Sequence, residues 1–164
     1  DRIAYNEFVF EFLTQHDNQY LTDLHELFMQ KVIRPQMRPE GFKAIQRHQE
    51  LGHELVGITA TSDFITAPIF REFGITEIIA TNAEVVDGKY TGKVINTACY
   101  QQGKLVRLEQ WLAGREVIES WAYSDSINDR FLLEYADHAI AVNPDARLLA
   151  LAEEQGWDVQ DWSI

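Results

Sequence analysis

Cations are scarce in this chain. Lys and Arg number 14 against 26 Asp and Glu, which leaves a net charge of −12. A surface of that sign repels phosphate-rich partners, so it excludes a nucleic-acid interface and an anionic membrane surface. It suits solubility and, locally, cation binding. No apolar run approaches the roughly 18–20 residues of a membrane span. The first residues show no basic stretch followed by an apolar one, so no secretory signal is expected. Cysteine occurs once, at Cys99. That excludes an internal disulfide and fits a reducing cytoplasm, with Cys99 read as a small hydrophobe. Neither a G-x-G-x-x-G nor a Walker A loop is present. The five histidines, at 16, 25, 48, 53 and 138, show no pair at metal-ligand spacing and read as surface or helix-face residues.

What is present describes a folded chain. Its 164 residues are 46% hydrophobic and 12% aromatic, too apolar for disorder and about the size of one domain with a small appendage. Residues 1–34 read as helical. Tyr5, Phe8, Val9 and Phe12 form one stripe at helical spacing, and Leu21, Leu24, Leu27, Phe28 and Val32 a second. His16-Asp17-Asn18 breaks them apart. Arg34-Pro35 and Arg38-Pro39 then interrupt the helical pattern and mark a boundary.

Beyond that boundary helix and strand alternate. Helices are expected over 42–51, 65–73, 104–113, 128–135 and 146–155. Strands are expected over 54–58, 77–80, 117–123, 139–142 and 157–162. Asp87-Gly88, between two β-rich arms, marks a hairpin over 84–94. Asp145 reads as a helix N-cap and Gly156 as the matching stop. The alternation predicts an α/β fold, a Rossmann-like parallel sheet with helices on both faces. Ligands of such sheets sit beyond the C-terminal strand ends, just after residues 58, 80, 123 and 142.

Three features at such places could carry chemistry. Ser124-Asp125-Ser126-Ile127-Asn128-Asp129 puts two carboxylates and an amide after a strand and before a helix. Hard oxygen donors of this kind suit Mg²⁺. Equally, Asp129 could cap the helix and Asp125 could be a solvated turn residue. Thr59-Ala60-Thr61-Ser62 reads as a loop whose hydroxyls and amides could hold an anion or simply cap the next helix. Lys104 starts a helix, where a cation opposes the dipole. It is either solvated or held toward an anion.

The ordered set resembles the haloacid dehalogenase superfamily, in its phosphoserine-phosphatase-like branch with a helical cap. The resemblance spans roughly Pro39 to Gly156. Thr59 matches the second motif, a Ser or Thr that binds the phosphoryl group. Thr59-Ala60-Thr61 stands where that branch more often has Ser-Gly-Gly. Lys104 matches the third motif, and Asp125 with Asp129 the fourth, whose acids hold Mg²⁺. The hairpin Val86–Val94 also has a counterpart in this branch.

The resemblance implies a part of the cap over 1–34 and the α/β core over 35–164. It implies a magnesium-dependent phosphatase acting on a small phosphorylated metabolite, phosphoserine-like, through an aspartyl-phosphate. Thr59 and Lys104 would be catalytic, with Thr59, Ala60 and Lys104 on the substrate and Asp125 and Asp129 on the metal. An inactive phosphate-binding or protein-interaction domain of the same fold is the alternative. One motif is absent. The nucleophilic Asp-x-Asp ends the first strand in this family, and residues 1–58 hold only Asp1, Asp17 and Asp23. A buried strand of that size is worth about 10 kcal/mol, against a domain stability of about 5–15 kcal/mol. The expectation is therefore a strand position filled from outside residues 1–164, beside the strands ending at Ile58 and Tyr123.

Overall fold

The computed structural model describes residues 2–95 and 99–163, with side chains from Phe8 onward. The chain forms two compact units, Asp1–Met37 with Phe42–Cys99, and Arg38–Gly41 with Tyr100–Ile164. No helix among the described residues is long and apolar enough to cross a membrane.

The first unit opens with α1 (Arg2–Thr14) and α2 (Asn18–Phe28). Asp17 separates them because its carboxylate caps α2, accepting the Tyr20 amide at 2.8 Å. The expected apolar stripes are corrected here. α1 buries Phe10 and Leu13 while Phe8 is 70% exposed; the side chain of Tyr5 lies outside the described residues. The Phe8–Leu13 run is apolar on several sides, so its spacing selects no face. Packing selects it instead: Phe10, Leu13, Leu21 and Ala83 form one core, joined by Phe12, Phe64 and Tyr90. α2 likewise buries Leu21 and His25, with Met29 just past its end, leaving Leu24 and Leu27 exposed. His25, read as a surface or helix-face residue, lies on the buried face of α2. It is buried because its Nε2 lies 2.8 Å from the Ile65 carbonyl oxygen, which satisfies a ring nitrogen away from water.

A π-helical turn (Met29–Ile33) and a 3-10 turn (Arg34–Gln36) follow, then α3 (Pro39–Glu50). Arg34 clamps this irregular stretch. It binds Glu26 at 2.7 Å and Glu72 at 2.6 Å, and both carboxyls are held below their usual range, by their hydrogen bonds to Arg34 above all. Pro39 begins α3 rather than ending a helix, as its missing amide permits. At the far end of α3, His48 is also buried, and its Nδ1 lies 2.8 Å from His53 Nδ1.

β1 (Val56–Ser62), α4 (Asp63–Glu72) and β2 (Glu77–Thr81) make a parallel β-α-β unit. Gly57 lets the Phe70 ring lie on the strand; a Cβ there would come within 2.5 Å of the ring. β3 (Ala83–Val86) and β4 (Lys89–Val94) form the expected antiparallel hairpin. Asp87 and Gly88 both take positive φ, 50° and 76°, as a type I′ turn requires. Asn18 donates to the Gly88 carbonyl at 2.8 Å, tying α2 to the hairpin.

The second unit holds α5 (Gln102–Leu112), β5 (Trp121–Ser124), a 3-10 turn (Ile127–Asp129), α6 (Arg130–Tyr135), β6 (His138–Val142), α7 (Ala146–Gln155) and β7 (Asp158–Gln160). The three strands are parallel in the order β5-β6-β7. Leu133, Ala139, Ala141, Leu148 and Ala152 form its core. β5 starts later than expected. Ser120 gives its amide and hydroxyl to Asp137, and Ile118 stands 93% exposed, so the ladder begins only at Trp121. The α/β architecture and its parallel strands match the expectation. β1 and β5 each stand at the end of their ladder.

Candidate functional site

The site grows from the C-terminal end of β5. Ser124 ends the strand, and Asp125 to Asp129 turn through a 3-10 segment before α6 begins. Asp129 was open to a capping role; it stands at the α6 N-terminus but makes no side-chain cap bond. Its carboxylate turns elsewhere. Oδ1 accepts from the Lys104 ammonium at 2.5 Å and Oδ2 from the Ser124 hydroxyl at 2.8 Å. Lys104 is buried in the first turn of α5. It is therefore the anion-held lysine and not the solvated one, because a buried ammonium needs a paired charge. Three ammonium hydrogens are available to it, and Asp129 takes one. Just before it, Gln101 holds a strained backbone, φ 47° and ψ −123°, a region a side chain seldom enters. Its carbonyl accepts the Lys104 amide at 3.0 Å.

Side chains brace the rest of the turn. Ser126 Oγ accepts from the Asn128 amide, and Asn128 Oδ1 accepts from the Tyr100 hydroxyl at 3.4 Å. Asp145 was legible as the α7 cap, and it does accept the amides of Arg147 and Leu148. Its second oxygen also takes the Ile127 amide at 2.9 Å, and its own amide donates to the Asp125 carbonyl at 2.8 Å. These amides, Ile127 first and then Leu148, hold its carboxyl below the usual range. Sequence reasoning missed Ser124 as a partner of Asp129 and missed this second role of Asp145. The first was signalled by a hydroxyl five residues from an acid across a turn. The second had no local signal, since 18 residues separate Asp145 from Ile127.

Thr59 and Ala60 belong to the other unit, and their setting differs from the expected loop. Residues 59–62 continue β1. Its register shifts between Ile58 and Ser62, where Ser62 pairs with Thr81. The Thr81 hydroxyl donates to the Ala60 carbonyl at 3.0 Å, so a side chain bridges the bulge that would otherwise end the strand. Thr59 Oγ1 accepts the Thr61 amide at 3.1 Å. Ser62, buried, caps α4. Asp63 then gathers the Phe64 amide, the Ala83 amide and the Asn82 side chain. In this unit an open pocket of about 470 Å³ is lined by His25, Asp63, Phe64, Arg71 and Tyr90 among others. Burial, and then the charge of Asp63, raise the Tyr90 phenol above its usual range.

Among the described residues no group of three or more His, Cys, Asp or Glu side chains gathers around a metal position. Mg²⁺ asks for less, since it keeps several waters and takes one or two carboxylates. Asp125 is exposed, and among the described residues its carboxylate has no hydrogen-bond partner. It is a free hard donor on the same turn as the partly engaged Asp129, and donors of this kind fit Mg²⁺.

The chain is similar to known proteins. The family model for haloacid dehalogenase-like hydrolases matches residues 1–134. A histidinol-phosphatase of Neisseria meningitidis is 42% identical over 153 residues, 90% of this chain and 69% of that protein. A phosphoserine phosphatase of Mycobacterium tuberculosis is 40% identical over 121 residues, 73% of this chain and 39% of that protein. A Bordetella pertussis protein of unknown function has a solved structure that superposes with a TM-score of 0.90 at 40% identity, covering 96% of this chain and 73% of that one. The chain thus spans about two thirds of the Neisseria relative and well under half of the mycobacterial one. With the family match over residues 1–134, its parallel α/β strands and these relatives, the chain belongs to the haloacid dehalogenase-like hydrolase family.

Proposed function

We propose that the protein is a Mg²⁺-dependent phosphatase that hydrolyses a small phosphomonoester through an aspartyl-phosphate. The Lys104–Asp129–Ser124 network at the end of β5 carries this reading. A buried cation fixed by an acid, with the free Asp125 carboxylate on the same turn as that acid, suits a phosphoryl group with its metal. Thr59, the Ala60 region and the free hydrogens of Lys104 would bind phosphoryl oxygens. Asp125 and Asp129 would hold Mg²⁺. The ion, when bound, supplies charge neutralisation to the phosphoryl oxygens. An Asp-x-Asp from outside residues 1–164 would supply the nucleophile. Its first carboxylate would attack phosphorus as the ester P–O bond breaks, and its second acid would protonate the leaving alcohol. Water, giving a proton back to that second carboxylate, would then hydrolyse the aspartyl-phosphate to release inorganic phosphate. Residues 1–34 would form part of the cap and residues 35–164 the core.

The relatives' names narrow the substrate. Phosphoserine and histidinol phosphate are both phosphate esters of a primary alcohol with an amine on the neighbouring carbon. That shared unit is the substrate class we infer. The test is phosphate release by the intact protein from phosphoserine, histidinol phosphate and glycerol phosphate, with Mg²⁺ and with EDTA. Release from the amino-alcohol esters, abolished by EDTA, is expected. No release from any ester in Mg²⁺ would sink the reading.

A further inference from the structure

We propose that Asp145 is a positioning residue for the metal-binding turn, holding Asp125 in place through its own carbonyl and through the amide two residues after it; this rests on the phosphatase reading above. Asp145 joins two elements at once. Oδ1 caps α7 through the amides of Arg147 and Leu148, at 2.9 and 3.0 Å. Oδ2 takes the Ile127 amide at 2.9 Å, two residues after Asp125. Its own amide donates to the Asp125 carbonyl at 2.8 Å. The Asp125 peptide is therefore anchored at its carbonyl and again two residues on, while its carboxylate is left free.

The surroundings support the same role. Pro144 precedes Asp145 and fixes its own φ. Asn143, with φ 43°, turns β6 toward the cap. Its side chain accepts the Trp162 amide at 3.0 Å and donates to Asp161 at 2.7 Å, which pins the turn that delivers Asp145. A carboxylate serves both partners because its two oxygens accept in different directions. A serine has a single short hydroxyl: it can cap α7 but does not reach Ile127. An asparagine can cap through Oδ1, but its Nδ2 has no lone pair for the Ile127 amide.

The two substitutions therefore separate helix capping from positioning. The experiment uses the intact protein with Asp145→Ser and Asp145→Asn. Mg²⁺ binding is read by calorimetry, Mg²⁺ dependence by phosphate release, and folding by thermal unfolding. Both variants are expected to unfold within a few degrees of wild type. Both should need roughly tenfold more Mg²⁺ for half-saturation, in binding and in turnover alike, as when outer partners of metal ligands are removed. Turnover at saturating Mg²⁺ should recover most of the wild-type rate. If wild type binds Mg²⁺ and is active while both variants keep its Mg²⁺ dependence, the positioning role is overturned and the phosphatase reading stands. If wild type takes up no Mg²⁺, both fall together. Should one variant fail to fold, the Mg²⁺ titration of the other decides.

Discussion

Lys104 shows how a single residue changes meaning on folding. In the sequence it is a cation in the wrong place on a helix dipole. In the fold it is buried, with its ammonium on Asp129. Its removal leaves Asp129 with the Ser124 hydroxyl alone. Lys104→Ala in the intact protein is expected to lower phosphate release by about a hundredfold or more, as loss of a charge-stabilising donor does. It should cost about 1–3 kcal/mol of stability from the half-buried carboxylate left underpaired. Undiminished turnover would remove Lys104 from the mechanism. Gly57 is a second residue-scale case. Its position against the Phe70 ring leaves no room for a methyl group, so Gly57→Ala is expected to destabilise the protein by about 1–3 kcal/mol. Urea unfolding measures this, and an unchanged midpoint would show that Phe70 moves freely.

At the scale of elements, local chemistry decided some boundaries and contacts decided others. The hairpin was legible because Asp87-Gly88 suits a turn with two positive φ values. Open space surrounds Gly88, so Gly88→Ala adds only backbone strain, about 1 kcal/mol. A thermal shift of a few degrees without loss of β structure by circular dichroism is the expected sign. β1 ran past its expected end because Thr81 bridges a bulge that no pattern in residues 54–62 foretells. The end of α3 and the approach to β1 meet at His48 and His53. Burial above all, then the charges of His53 and Arg47, hold the His48 imidazole below its usual value of 6.5. The native state therefore binds fewer protons here than the unfolded chain. Its stabilising share is complete above about pH 6.5 and is lost as pH falls through the lowered value. Urea midpoints should fall between pH 7.5 and pH 5.5, and His48→Leu should flatten that slope. A slope unchanged in His48→Leu would assign the pH dependence to other groups.

Across the whole molecule the charge of −12 dominates. Like charges repel more in the compact chain than in the open one, and salt screens them. Raising NaCl from about 10 to about 200 mM is expected to raise the unfolding temperature by a few degrees; a fall would mean that attractive pairs such as Arg34 with Glu26 and Glu72 outweigh the repulsion. The alternating helix and strand pattern, the hairpin, the polar break at His16-Asp17-Asn18, the Asp145 cap and the acidic turn after β5 were all legible in the sequence. Each rests on interactions among residues a few positions apart, whose geometry the backbone imposes. The buried faces of α1 and α2, the burial of His25, the length of β1 and the second grip of Asp145 were not. They depend on residues 18 to 80 positions away, and a chain apolar on several sides leaves the choice of buried face to whatever packs against it. The same division runs through the site. Two acids after a strand could be read in order along the chain, but only the packing of α5 beside that turn made Lys104 the partner of Asp129 and left Asp125 free.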